Sequence, residues 1–354
     1  MNVLFFWEKA GGLTLDHKCN PYGPLLSLAF KKIDIYLELG DYAFEKEWLR
    51  NKRKNFDVLH INWLHHFYRS EDLESGVKRL NDFAENIHYA HSLGYKIVWT
   101  VHNRYPHERP FPELDHLAQL MMSQAADEVI AHCKYSADLV REHFYRTEHL
   151  HIIPHGNYID AYPNEISRID ARSQLGVSDL SFVYLFVGNA RPYKGIERLI
   201  GSFRKIADSN SVLLLMMRTG LNPEYGEKIK TMVAEDAYIK AFTSSFFETH
   251  EFQLYMNASD IAVLPFVDVL TSGSAILALS FAKPVILPNI GCMPELIDET
   301  MGSLFHPQEK DGLINALKEV RERNIIELSR AAFSRAEELH WDGIAAKMAV
   351  LYRN

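Results

Sequence analysis

Short apolar runs alternate with longer amphipathic stretches along the whole chain, and that rhythm is the mark of α/β folds with parallel sheets. In the first half the strand candidates are Asn2–Trp7, Asp57–Trp63, Lys96–His102, Glu128–His132 and His149–Pro154. Between them lie helical patterns such as Leu80–Ser92, whose apolar positions recur at three- and four-residue steps until Gly94 stops the helix. In the second half the strands read Phe182–Gly188, Val212–Met217, Ile239–Thr243, Ile261–Pro265, Pro284–Pro288 and Ser303–Phe305. The polar segment Gly156–Ser178, which contains Pro163 and shows no strong periodicity, is read as the linker.

At 354 residues the chain is long for one domain and comfortable for two. The expected division is residues 1–160, residues 161–340, and a last helix over 341–354 that can dock on either domain. Hydrophobic residues at 47% and charged residues at 24% describe a globular protein with full-sized cores. A net charge of −8 argues against nucleic acid as a partner. The basic run Arg50, Lys52, Arg53, Lys54 reads as a solvated face at a helix end, with anionic lipid headgroups as the other reading. Cys19, Cys133 and Cys292 are too far apart for a zinc knuckle or a CxxC pair and fit unpaired thiols in a reducing compartment. The apolar start at Met1–Trp7 lacks a basic n-region and a cleavage site, and no segment is long enough to span a bilayer. A cytoplasmic location follows as the expectation, at most peripheral at the inner face of the membrane.

Ligands of open parallel sheets bind beyond the carboxyl ends of the strands, at the point where strand order reverses. The loops there are therefore the ones to read for chemistry. In FVYLFVGNARPYKGIERLI a buried strand ends at Gly188, a loop carries Arg191 and Lys194, and Gly195 opens a helix. Such a turn presents backbone N–H groups to an anion, and two cations can neutralise a diphosphate. On spacing alone, an ordinary βα turn with two basic residues explains it equally well. GxxxxGK[ST] is absent, so this is not a P-loop. After the strand Ile261–Pro265, Thr271, Ser272, Gly273 and Ser274 precede an apolar helix, where they can cap it or receive a phosphate. In the first half, His102 ends a strand and can hydrogen-bond a sugar hydroxyl or manage a proton, although a lone strand-end histidine is more often structural. His155 has an equally strong structural reading. Gly11 and Gly12 in the first βα loop allow close backbone approach to a ligand, without the GxGxxG fingerprint. No HExxH occurs among the histidines, and no metal site is expected.

VGNARPYKGIERLI resembles the donor loop of the group-one glycosyltransferases, a large GT-B family of two Rossmann-like domains facing each other across a cleft. IPHGNY, TVHN, LYMNASDIAVLP and AKPVILPNIGCMPELID resemble further family segments in the same order and spacing. The resemblance implies that Arg191 and Lys194 bind a donor diphosphate and that His102 contacts the donor sugar. It implies a metal-independent hexosyltransferase with no cofactor, using a UDP- or GDP-linked sugar as co-substrate and usually retaining anomeric configuration. A glycan or lipid-linked acceptor is implied, in polysaccharide or glycolipid synthesis. Many members carry two glutamates, and the equivalent positions here are Val269 and Leu277, with Asp268 adjacent to the first. That departure bears on ribose and sugar recognition. It leaves a non-catalytic GT-B protein that binds sugar nucleotides or glycans as the alternative, and an epimerase- or phosphorylase-like enzyme as another.

Overall fold

The computed structural model describes residues 1–8, 12–15 and 20–353. The chain divides into two compact units, Met1–Gly156 with His340–Asn354, and Asn157–Leu339.

The first unit is built on six strands: β1 Asn2–Phe6, β2 Tyr36–Leu39, β3 Val58–Ile61, β4 Lys96–Val101, β5 Glu128–Ala131 and β6 Leu150–Ile152. They pair in parallel in the order β2-β1-β3-β4-β5-β6. Central strands of a parallel sheet are covered on both faces, which is why VLHI and KIVWTV read as nearly continuous apolar runs. β2 was not among the strand candidates. Its sequence YLEL alternates, three of its four residues are exposed, and it forms the sheet edge, so no apolar run marks it. The helix Trp341–Arg353 belongs to this unit. Its Tyr352 lies buried against Phe30 and hydrogen-bonds His60 at 2.5 Å, while Lys32 pairs with Asp342 at 2.8 Å.

The second unit repeats the plan with β7 Phe182–Asn189, β8 Ser211–Arg218, β9 Ile239–Ser244, β10 Ile261–Val263, β11 Val285–Pro288 and β12 Gly302–Phe305. Their order is β12-β11-β10-β7-β8-β9, again parallel throughout. Order reverses between β1 and β3 in the first sheet and between β7 and β10 in the second. Those two places are where a ligand crevice forms.

The segment expected to be a featureless linker carries the helix Arg168–Leu175, begun by a Ser167 cap on the Asp170 N–H. Eight residues are too few for a periodic signal, and the helix is fixed from outside itself. Arg172, fully buried, donates to Asp260 at 2.8 Å and to the carbonyls of Ala258 and Ser181, while Arg168 takes the other Asp260 oxygen at 2.7 Å. A buried charge of this kind is tolerable only because every donor is matched.

One further expectation meets the structure here. The basic run spends its charge on neighbours: Arg53 on Asp57 at 2.6 Å, Lys52 on Glu38, and Arg50 on the Tyr89 hydroxyl at 3.1 Å. Among the described residues, no helix is long and apolar enough to cross a membrane.

Candidate functional site

The loop after β7 is locked to the loop after β10. Gly195 has φ +70°, and a Cβ built there would lie 2.1 Å from the Pro265 carbonyl oxygen, so only glycine allows the two backbones to touch. One step away, the Val267 N–H donates to the Tyr193 carbonyl at 2.8 Å. Gly188, at φ +151° and next to last in β7, lies beneath Ser274, whose hydroxyl would sit 3.4 Å from an added Cβ. These approaches bring the Arg191–Lys194 turn and the start of the helix Gly273–Ser280 to the same strand ends.

Lys194 occupies an unusual setting. Its ammonium lies 4.5 Å from the Phe266 ring centroid and 5.2 Å from that of Tyr193. Among the described residues the ammonium makes no ion pair and no hydrogen bond. Burial, with the Arg191 charge adding, pushes it down to about 8. A desolvated cation held by ring faces and lacking a carboxylate is ready for an external anion.

Ser272, 4% exposed, accepts a hydrogen bond from the Ala275 N–H at 3.2 Å and so caps its helix. The cap takes one lone pair of the Ser272 oxygen and leaves its O–H able to donate. The Tyr158 hydroxyl lies 3.0 Å from where a Gly273 Cβ would stand, which keeps the approach to this helix start narrow. Leu277 is buried within the same helix and Val269 lies in the preceding loop, so neither position brings a carboxylate here. Asp268 is exposed.

The strand ends of the first unit have a different character. His102, 5% exposed, is bonded on both nitrogens: Nε2 to Asn62 Oδ1 at 2.8 Å and Nδ1 to His132 Nε2 at 3.1 Å. Trp63 stacks on its ring at 4.8 Å, and Trp7 and Tyr22 close in at 5.5 and 5.0 Å. His155 bonds the Gly156 carbonyl at 2.7 Å, and burial pushes it down to about 3, as it does His60. Burial disfavours the charged form of each of these rings, His102 included. Asn62, His132, Trp7 and Trp63 escaped the reading of the sequence. The signal was present, since each is one or two residues beyond a strand of the sheet. Gly12 lies outside any regular element, and Gly11 falls outside the described residues.

A cavity of about 620 Å³ opens in the first unit beside β1 and β2, lined by Trp7, Glu8, Asp41, Tyr42, Arg79 and Asn86 among others. Aromatic rings with carboxylate and amide groups suit a polyhydroxylated ligand.

Two tandem six-stranded parallel sheets with loaded strand ends define a GT-B-type α/β protein. Residues 181–323 match the family model described as glycosyl transferases group 1, and residues 80–159 match that of glycosyltransferase family 4. The chain is 27% identical over 295 residues to a GDP-mannose:glycolipid 4-beta-D-mannosyltransferase of Xanthomonas campestris pv. campestris, covering 81% of this chain and 74% of that one. Sucrose-phosphate synthase from Thermosynechococcus elongatus shares the fold with a TM-score of 0.75 at 18% identity, covering 99% of this chain and 98% of that one. HepE of Anabaena in complex with UDP and glucose superposes with a TM-score of 0.74 at 18% identity, covering 99% of each chain. The chain is a glycosyltransferase of GT-B fold, with a group 1 glycosyltransferase match across residues 181–323.

Proposed function

We propose that the protein transfers a sugar from a nucleoside diphosphate sugar to a glycan or lipid-linked acceptor, with the donor held on the second unit. The observation that carries this reading is Lys194, a desolvated ammonium without an anionic partner among the described residues, on a loop locked to the end of β10. Arg191 stands three residues before it on the same turn. As the glycosidic bond breaks, the leaving diphosphate gains charge, so fixed cations stabilise the transition state more than the ground state. That role replaces a divalent metal.

His102 orients the transferred sugar and does not act as a base, because both its nitrogens are engaged inside the unit. The cavity beside Trp7 and Tyr42 receives the acceptor sugar. The relative's name points to GDP-mannose as donor and a glycolipid as acceptor, and we adopt both for this chain. That name also specifies a β-linkage, whereas the family resemblance implies retention. NMR of the product anomer decides between them.

A thermal-shift panel of UDP, GDP, ADP and TDP tests the donor assignment, since a ligand of the folded state raises the melting temperature. GDP should give the largest shift, lost in Lys194→Ala. A shift of equal size in that variant would remove the basis of the reading.

A further inference from the structure

We propose that His132 is a positioning residue for His102, and that the two rings hold three protons on their four nitrogens, giving the pair one net positive charge. Its catalytic meaning rests on the role given to His102 above, while its physical content does not.

Hydrogen-bond polarity requires the third proton. The contacts run from Asn62 Oδ1 to His102 Nε2 at 2.8 Å, from His102 Nδ1 to His132 Nε2 at 3.1 Å, and from His132 Nδ1 to the Ile153 carbonyl at 2.9 Å. Both ends of this chain are oxygen acceptors. The Ile153 carbonyl has no hydrogen to give. The Asn62 amide nitrogen donates to the Phe6 carbonyl at 3.1 Å, which turns Oδ1 towards His102. Each outer nitrogen must therefore carry a hydrogen. A neutral imidazole has only one N–H, so two neutral rings would set two bare lone pairs against each other at 3.1 Å. A proton at the centre converts that repulsion into a charge-assisted N–H···N bond.

The neutral alternative has a definite structural requirement. The Asn62 amide would have to turn over, placing its oxygen against the Phe6 carbonyl at 3.1 Å, two acceptors with no hydrogen between them. The surroundings pull in both directions. Burial opposes the charge, pushing His132 down to about 4 although the Ile153 carbonyl pulls the other way, and His60 and His155 would repel it if they were charged. Burial holds those two neutral as well. Against it stand Trp63 stacked on His102 from the loop after β3, Trp7 from the end of β1, and Tyr22 from the helix Tyr22–Lys31. Ring faces stabilise a desolvated cation.

Charge on the pair fixes the His102 ring in one orientation, because both its bonds then have a defined donor and acceptor. The linkage has a definite sign. A shared proton retained above the unfolded value of about 6.5 gives stability that is fully present below that pH and is lost as pH rises through the folded value. Burial of two neutral rings predicts the opposite slope.

The decisive experiment is long-range ¹H–¹⁵N NMR on the full-length enzyme with ¹⁵N-labelled histidine, near neutral pH. The expected pattern has hydrogens on His102 Nε2 and His132 Nδ1 and a third on the inner pair. Two neutral rings, each protonated only at Nδ1, would overturn the proposal. His132→Leu supplies a second reading. Its stability deficit relative to wild type should shrink as pH rises above about 6.5, and a deficit that grows would count against the shared proton. With GDP-mannose, kcat should fall by about tenfold while GDP alone binds unchanged. If no nucleotide binds at all, the donor reading fails, yet the NMR pattern still decides the proton count. If the variant does not fold, wild-type NMR decides alone.

Discussion

The two units share one plan, a six-stranded parallel sheet with ligand loops at its carboxyl edge, yet they equip that edge in opposite ways. In the first, the strand ends are closed by indoles and buried imidazoles bonded to one another and to carbonyls. In the second, glycine lets two loops meet backbone to backbone, and a cation is left without a counter-charge among the described residues. The fold therefore sets where chemistry can occur, and the residues one or two steps past each strand set which chemistry it is. One edge suits a neutral polyol, the other an anion.

The comparison breaks most sharply at Lys194 and Arg191. Replacing either with alanine should remove ~2.7–4 kcal/mol of transition-state stabilisation, at least a hundredfold in turnover, with the melting temperature held. Steady-state kinetics that stay near wild type in both variants would mean the second edge is not the cationic one. Acid should next separate the halves. His60 and His155 are pushed down to about 3 by burial, below the unfolded value, so their contribution is present above about pH 6.5 and is lost as pH falls. Each costs up to about 1.4 kcal/mol per pH unit in that window. Hydrogen exchange between pH 7 and 4.5 should show the first unit opening while the second stays protected; simultaneous loss would erase the distinction.

Alkaline pH sharpens the other side. Lys194, depressed to about 8, loses its charge as pH rises through that value, so affinity for a nucleoside diphosphate should fall by up to about tenfold per pH unit above it. Lys194→Arg should abolish that fall, as calorimetric titration at pH 7.5 and 9 can check. The smallest effect belongs to Ser272→Ala, which should cost about 1 kcal/mol of stability through the lost cap and little in turnover. A large kinetic defect at unchanged stability would instead assign the hydroxyl to the ligand.

Much of this was legible in the amino-acid sequence because parallel strands are buried on both faces. VLFF, IVWT and FVYLFV are recognisable without any partner in view. YLEL at the edge of the first sheet was not, since an exposed strand has no reason to be uniformly apolar. Neither was the helix Arg168–Leu175, whose reason to exist is Asp260, far along the chain. At the candidate site, the loop with Arg191 and Lys194 announced itself through glycine and charge. His132 did not, because its interest arises only when β4 and β5 lie side by side and bring it to His102. A capping hydroxyl such as that of Ser272 also looks the same in a sequence as one that caps nothing.

The helix Trp341–Arg353 lends Tyr352 to His60, a residue placed 292 positions earlier. During synthesis the first sheet must therefore wait, one flank open, while the whole of the second unit leaves the ribosome and has time to fold. Completion of the first unit thus comes last, and a chaperone that shields the uncovered flank around Phe30 and His60 would act on the early half until the late helix arrives.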